Sequence, residues 1–315
     1  MNDRTRILLI AAVVVVVVGA IAGIGIYNER VAPFRTVVVR VDDDVEVRLG
    51  YFVKRAAASG VPSLQLLNTI AREEVMLKAA GQPPYDIEIG DEDLDAYIRS
   101  VPQGDGERLT DAEFDEWWRQ QLNESGFSSE ELRDIMQRNL TANLMRDYLG
   151  ERVETVAEQV LLQLILSPDA QSAQAAVVRL DAGESFTALA QELNPAELNT
   201  PRSEWGWFPR EGLPSGFDRM AFDQLAVGEH SPVMPLPPQA GQAPTYAIIR
   251  VADRVAAREI DAAALAGMRA RALDTWLAEE MGRREVSFHG FNNGYDSETD
   301  AWVSWQIQRN KRQRR

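Results

Sequence analysis

Two histidines, His230 and His289, and no cysteine make up the whole stock of imidazole and thiol groups in this 315-residue chain. A Ser-His-Asp hydrolase or a histidine-rich metal centre would have to be built from those two rings. His230 stands at the expected start of a strand and His289 in the C-terminal tail, so neither falls in a pattern of bases or ligands. Thiol nucleophiles, disulfides and Cys-based metal sites are excluded. Gly-x-Ser-x-Gly, His-Glu-x-x-His, Walker and dinucleotide-binding patterns are all missing. Hydrolase, NTPase and redox chemistry therefore lose their usual residues, and neither a metal nor a cofactor is expected. The net charge is −15; residues 301–315 contribute five basic groups and no acid, leaving −20 on residues 1–300. Such a body repels nucleic acid and favours basic or unfolded protein segments.

The elements that must position any site begin with a location signal. Ile7 to Ile26 is an uninterrupted apolar run preceded by Arg4 and Arg6. About 20 residues of helix cross a ~30 Å hydrocarbon core. The flanking arginines place the short N-terminus in the cytoplasm, as a single-pass anchor in the plasma membrane with the bulk of the chain extracytoplasmic. A cleaved signal peptide is the competing reading, because Ala20-Ile21-Ala22 fits a small-x-small site. The basic end, Arg309 to Arg315, could touch anionic headgroups.

After the anchor, Val37 to Val41 and Val45 to Leu49 read as short strands around Asp42-Asp43-Asp44. From about Gly50 to Leu149 the pattern is helical. Leu64, Leu67, Ile70, Val75 and Leu77 outline one buried face. Leu132, Ile135, Met136, Leu140, Leu144 and Tyr148 outline another. Thr110 to Glu113 and Ser128 to Glu131 match capping boxes. From Leu161 the order β-α-α-(α)-β-β predicts a compact α+β domain with an antiparallel sheet. A long helix, about Asp261 to Arg284, then carries Leu265, Met268, Ala272 and Trp276 on one face. The expected divisions are tail and anchor 1–30, helical domain 31–158, α+β domain 159–256, a helix 257–285 returning to the helical domain, and an unassigned tail 286–315.

Leu161 to Arg254 resembles the parvulin-type peptidyl-prolyl isomerase domain. The resemblance is carried by Leu162 to Leu166, Asp181 to Ala190, Gly206-Trp207-Phe208, Phe217 to Phe222, Leu225 to Glu229 and Tyr246 to Val251, in that order and spacing. The helical flanks resemble the SurA/PrsA family of exported folding factors. That resemblance implies a SurA-N-like chaperone region, a parvulin-like four-stranded antiparallel sheet with flanking helices, and a closing helix. It implies a proline-binding pocket at Trp205, Leu213, Phe217 and Phe222. Gln163 and Ala247 stand where the family usually has histidines, and Asn194 lies nearest its polar loop position.

The implied function is a membrane-anchored, extracytoplasmic folding factor, a peptidyl-prolyl cis-trans isomerase that Gln163 and Ala247 would weaken. The alternative is a holdase chaperone that uses a degenerate parvulin domain only to grip peptides. The expected partners are unfolded or nascent exported proteins, Xaa-Pro segments, and the lipid bilayer through residues 7–26. An assembly subunit of an envelope complex is the third possibility.

Overall fold

The computed structural model describes residues 31–103, 109–194, 204–236, 245–292 and 294–313. The expected anchor, residues 7–26, lies outside the described residues, and among those described no helix is long and apolar enough to cross a membrane.

In chain order the elements are α1 (Ala32–Arg35), β1 (Val37–Val41), β2 (Val45–Arg48), α2 (Leu49–Ser59), α3 (Ser63–Ala80), α4 (Asp91–Ser100), α5 (Asp111–Ser125) and α6 (Ser129–Glu151). Next come β3 (Val156–Ser167), α7 (Ala170–Asp181), α8 (Phe186–Leu193), β4 (Glu204–Pro209), α9 (Ser215–Arg219) and a π-turn (Met220–Gln224). The chain continues with β5 (Met234–Leu236), β6 (Thr245–Glu259), α10 (Ala262–Arg283), β7 (Val286–Phe288) and α11 (Ser297–Gln313). These form two compact units. One draws on both ends of the chain, up to Tyr148 and again from Leu273; the other is Leu149–Ala272.

The two-ended unit is mainly helical around a three-stranded antiparallel sheet, β2-β1-β7. The β-branched run Val37-Val38-Val39 suits the central strand, and Val38, Val39 and Val41 are fully buried. The carboxylate of Asp42, in the β1–β2 turn, accepts from Lys78 of α3 at 2.6 Å, from Arg284 at 3.3 Å and from the Glu285 amide at 3.1 Å. The Lys78 hydrogen bond leads in holding that carboxyl below its usual range. One acid thus ties the second-half strand β7 to α3 and β1. Both capping boxes form: Thr110 with Glu113, and Ser128 with Glu131. Two residues expected on buried stripes face outward, Leu64 and Leu144. The face of α3 that packs runs through Leu66, Leu67, Ile70 and Ala71, and the face of α6 through Leu132, Thr141 and Met145. A helix buries whichever stripe meets a neighbour, and the apolar pattern alone was wide enough to allow several.

The tail left unassigned by its sequence forms β7 and α11. Asp296 precedes α11 and accepts from the Thr299 hydroxyl at 2.6 Å, the Thr299 amide at 2.8 Å and the Asn292 side chain at 2.8 Å. These bonds, the Thr299 hydroxyl first, lower its carboxyl to about 2. The folded value lies below the unfolded value of about 3.9. The stabilisation is therefore complete above about pH 4 and disappears as the pH falls through about 2. The protection of α11 amides relative to their intrinsic exchange rate should fall across that window, and Asp296→Ala should remove that fall. An unaltered pH profile in the variant would assign the effect elsewhere.

The second unit is an antiparallel four-stranded sheet, order β4-β3-β6-β5, so the chain is α+β with antiparallel sheets. The central stretches of the long strands, Leu162 to Ile165 of β3 and Ala247 to Ile249 of β6, are buried on both faces, which is why they are mostly apolar without alternation. On one face Ile165 and Ile248 meet Ala176, Val177 and Leu180 of α7 and Phe186, Leu189 and Ala190 of α8. On the other, Val160, Leu162, Leu164, Ala247, Ile249 and Val251 meet Leu213, Phe217, Ala221, Phe222 and Leu225. Asp169 and Ser185 cap α7 and α8 with their side chains.

Candidate peptide-binding site

The second of those faces carries the candidate site, and β4 sets its geometry. Leu162 pairs with Gly206 but Gln163 pairs with Glu204, so Trp205 is an extra residue bulged out of the ladder. A bulge re-aims a side chain. Gly206 permits it by adopting φ +143°, a region that side-chain-bearing residues rarely occupy. The Trp205 ring lies 4.9 Å from that of Phe208 and 6.1 Å, edge-on, from that of Phe217. Trp205 keeps 38% of its surface exposed, while Phe217 keeps 4% and Phe222 6%. Phe208, Met220, Met234, Leu166 and Leu236 are half-buried at the margin of the same cluster.

The turn after β4 delivers Leu213 to this face. At Gly212 a Cβ would sit 2.8 Å from the Pro209 carbonyl oxygen, so the tight turn requires glycine. The Asp218 carboxylate accepts from the Glu211 amide at 2.7 Å, and burial raises its pKa. Phe222 lies beneath two guanidiniums, Arg210 at 4.7 Å and Arg254 at 5.8 Å from its ring centre. Arg254 also donates to the carbonyls of Ala221 at 2.8 Å, Phe222 at 3.2 Å and Leu225 at 3.1 Å. It thereby satisfies the acceptors orphaned at the end of the π-turn. Of the four expected pocket residues, Trp205, Leu213, Phe217 and Phe222, all are brought together, but only Trp205 is substantially exposed.

The three expected polar positions do not join them as a set, and here the structure corrects the sequence reading. Gln163 has the opposite strand parity from Leu162 and Leu164, so its side chain points to the helix-covered face. There its Nε2 lies 3.4 Å from the Thr187 hydroxyl and its Oε1 accepts from Arg250 at 3.0 Å. Asn194 is buried and its amide is spent on backbone: Nδ2 donates to the Leu164 carbonyl at 2.8 Å and Oδ1 accepts from the Leu166 amide at 2.7 Å. The pairing of β4 with β3 ends at Gln163, and the Asn194 amide continues the ladder where that strand stops. Ala247 does lie on the aromatic face, fully buried and paired with Leu166 and Met234. An imidazole there would have to displace close-packed neighbours. His230 faces Asp181, 3.4 Å away, and His289 contacts the Ser287 hydroxyl at 2.8 Å.

No protein-family model and no curated protein matches the chain. Among solved structures the chain is similar to the peptidylprolyl isomerase PrsA of Bacillus anthracis, at 15% identity and a TM-score of 0.35, covering 78% of this chain and 97% of that one. It is similar to PrsA of Bacillus cereus at 14% identity and a TM-score of 0.38, with 88% and 92% covered. A SurA-like chaperone structure from Campylobacter jejuni stands at 13% identity and 0.35, with 81% and 99% covered. At such values the function of this chain has to be argued from its own residues.

Sequence reasoning missed Phe208, Met220 and Met234 as neighbours of the wall and Arg254 as the group that closes the π-turn. The alternation of β3 was a usable signal for Gln163, since Leu162 and Leu164 flank it on the opposite face.

Proposed function

We propose that this chain is a membrane-anchored, extracytoplasmic folding factor that grips extended client segments at the aromatic margin of its four-stranded unit. The observation that carries the reading is Trp205, bulged out of β4 and half-exposed over Phe208 and Phe217. A rigid aromatic at the edge of an apolar cluster is what a proline ring or an apolar side chain packs on.

Two activities fit such a grip. Isomerisation of Xaa-Pro bonds breaks no bond and requires only that the ~18–20 kcal/mol torsional barrier fall. An apolar, water-poor wall favours the twisted amide over the planar one. Holding without catalysis is the second reading, and one observation favours it. None of Gln163, Asn194 and Ala247 offers a free polar group to the wall. The half-buried aromatics Phe114, Trp117 and Trp118 on α5, with Arg99 lying 4.5 Å over the Phe114 ring, offer further apolar surface suited to holding.

Trp205→Ala separates the possibilities. It should leave the circular dichroism unchanged and weaken binding of proline-containing peptides by roughly tenfold, the loss typical of an aromatic anchor. Acceleration in a protease-coupled isomerisation assay that vanishes in this variant would establish catalysis. Peptide binding with no acceleration would leave a holdase. A parent chain that binds no peptide would end the folding-factor reading.

A further inference from the structure

Helix α11 has two differently built faces. Its inner face docks through Trp302, whose ring lies 5.0 Å from Phe34 and 5.4 Å from Phe291, and through the buried Val303 and Gln306. Its outer face, near the C-terminal end, sets Trp305, Gln308, Arg309 and Arg312 at spacings that put them in one row. These four border one surface depression. Trp305 is 55% exposed, and the Arg309 guanidinium lies 5.4 Å over its ring.

We propose that this row docks on anionic lipid headgroups. The proposal rests on the anchor reading of residues 7–26 and extends it to a second contact with the same bilayer. Three observations favour a lipid occupant. Guanidiniums match phosphate oxygens with paired N–H donors, and tryptophan prefers the headgroup level of a membrane. The final fifteen residues carry five basic groups and no acid, against −20 on the rest of the chain, so positive charge is concentrated at this end. The third observation is reach. Phe34, packed on Trp302 of the same helix, follows the apolar run's last residue, Ile26, by eight positions. Eight residues span at most about 29 Å even when fully extended. A bilayer entered at Ile26 therefore lies within that span of Phe34, and so on the same side of the chain as the helix Phe34 packs on, whatever path the intervening residues take.

The test uses the full chain reconstituted into lipid nanodiscs, either of phosphatidylcholine alone or with about a third phosphatidylglycerol. Amide exchange is followed in residues 305–313. The expected result is roughly thirtyfold slower exchange in the anionic discs, from two basic groups at the surface, abolished at about 0.5 M salt. Arg309→Gln with Arg312→Gln should abolish the slowing and leave exchange in α3 and β1 as in the parent. Trp305→Ala should reduce it. Retention of the chain in both discs with identical exchange would overturn the docking alone. Release of the chain from the discs at high salt would overturn the anchor and the docking together. Arg309-dependent binding to a DNA duplex, with no response to lipid charge, would show a phosphate-backbone site instead and overturn the lipid assignment.

Discussion

Phe217→Ala should destabilise the four-stranded unit by about 4 kcal/mol, in the range of buried aromatic truncations. Phe217 is 4% exposed and packs with Leu213, Phe222, Ala247 and Ile249 in one cluster. Its removal would also free the Trp205 ring, which meets it edge-on at 6.1 Å, an arrangement worth about 0.5–1.5 kcal/mol on its own. The measurement is amide exchange of β3 and β6 in increasing denaturant, which reads this unit apart from the helical one. A variant as stable as the parent that nonetheless loses peptide binding would make Phe217 a wall of the site rather than part of its support. The consequence for functional work is direct. A Phe217 variant that loses activity together with stability shows only that the unit came apart, whereas the exposed Trp205 can be truncated without emptying the core.

Asn194→Ala should cost about 3 kcal/mol. The side chain supplies both halves of a backbone-like amide to β3, and its loss leaves the Leu164 carbonyl and the Leu166 amide buried without their partner. Each such orphan costs about 1–3 kcal/mol. Asn194→Asp is the informative companion. Its carboxylate can still accept from the Leu166 amide but opposes the Leu164 carbonyl, so the variant should be unstable at neutral pH and recover as the acid protonates. Urea midpoints at pH 7 and pH 4 measure both effects. An Asn194→Ala protein with an unchanged midpoint and altered peptide isomerisation would return Asn194 to the site.

Much of the architecture was legible from residue pattern because the decisive signals are local. Val37-Val38-Val39 is β-branched, and Thr110/Glu113 and Ser128/Glu131 are paired at capping distance. Each acts within one turn of chain. The aromatic wall was expected from the parvulin resemblance rather than from a local pattern, and the structure gathers Leu213, Phe217 and Phe222 in one cluster with Trp205 against Phe217. Leu64 and Leu144 were misjudged because amphipathicity says that a helix has an apolar stripe, not where along it the neighbour will press.

The polar positions were harder. Gln163 could be matched by order along the chain, but strand parity decides which face receives its side chain, and that face carries α7 and α8. Asn194 was expected nearest the parvulin family's polar loop position. It is structural only because the ladder between β3 and β4 stops at Gln163, which leaves buried backbone groups for it to meet.

The sequence by itself determined the stock of reactive side chains and the α+β order of elements, since these depend on composition and short-range spacing. The tertiary structure alone decided which groups face one another. It paired β7 with β1, spent Asn194 on the edge of β3, turned Gln163 away from the wall, and left Trp205 and Trp305 exposed. Those outcomes depend on contacts between residues far apart in the chain, such as Asp42 with Arg284 or Phe34 with Trp302. Such contacts form because packing buries apolar area and pairs polar groups wherever the folded chain brings them together, and no spacing along the sequence records that.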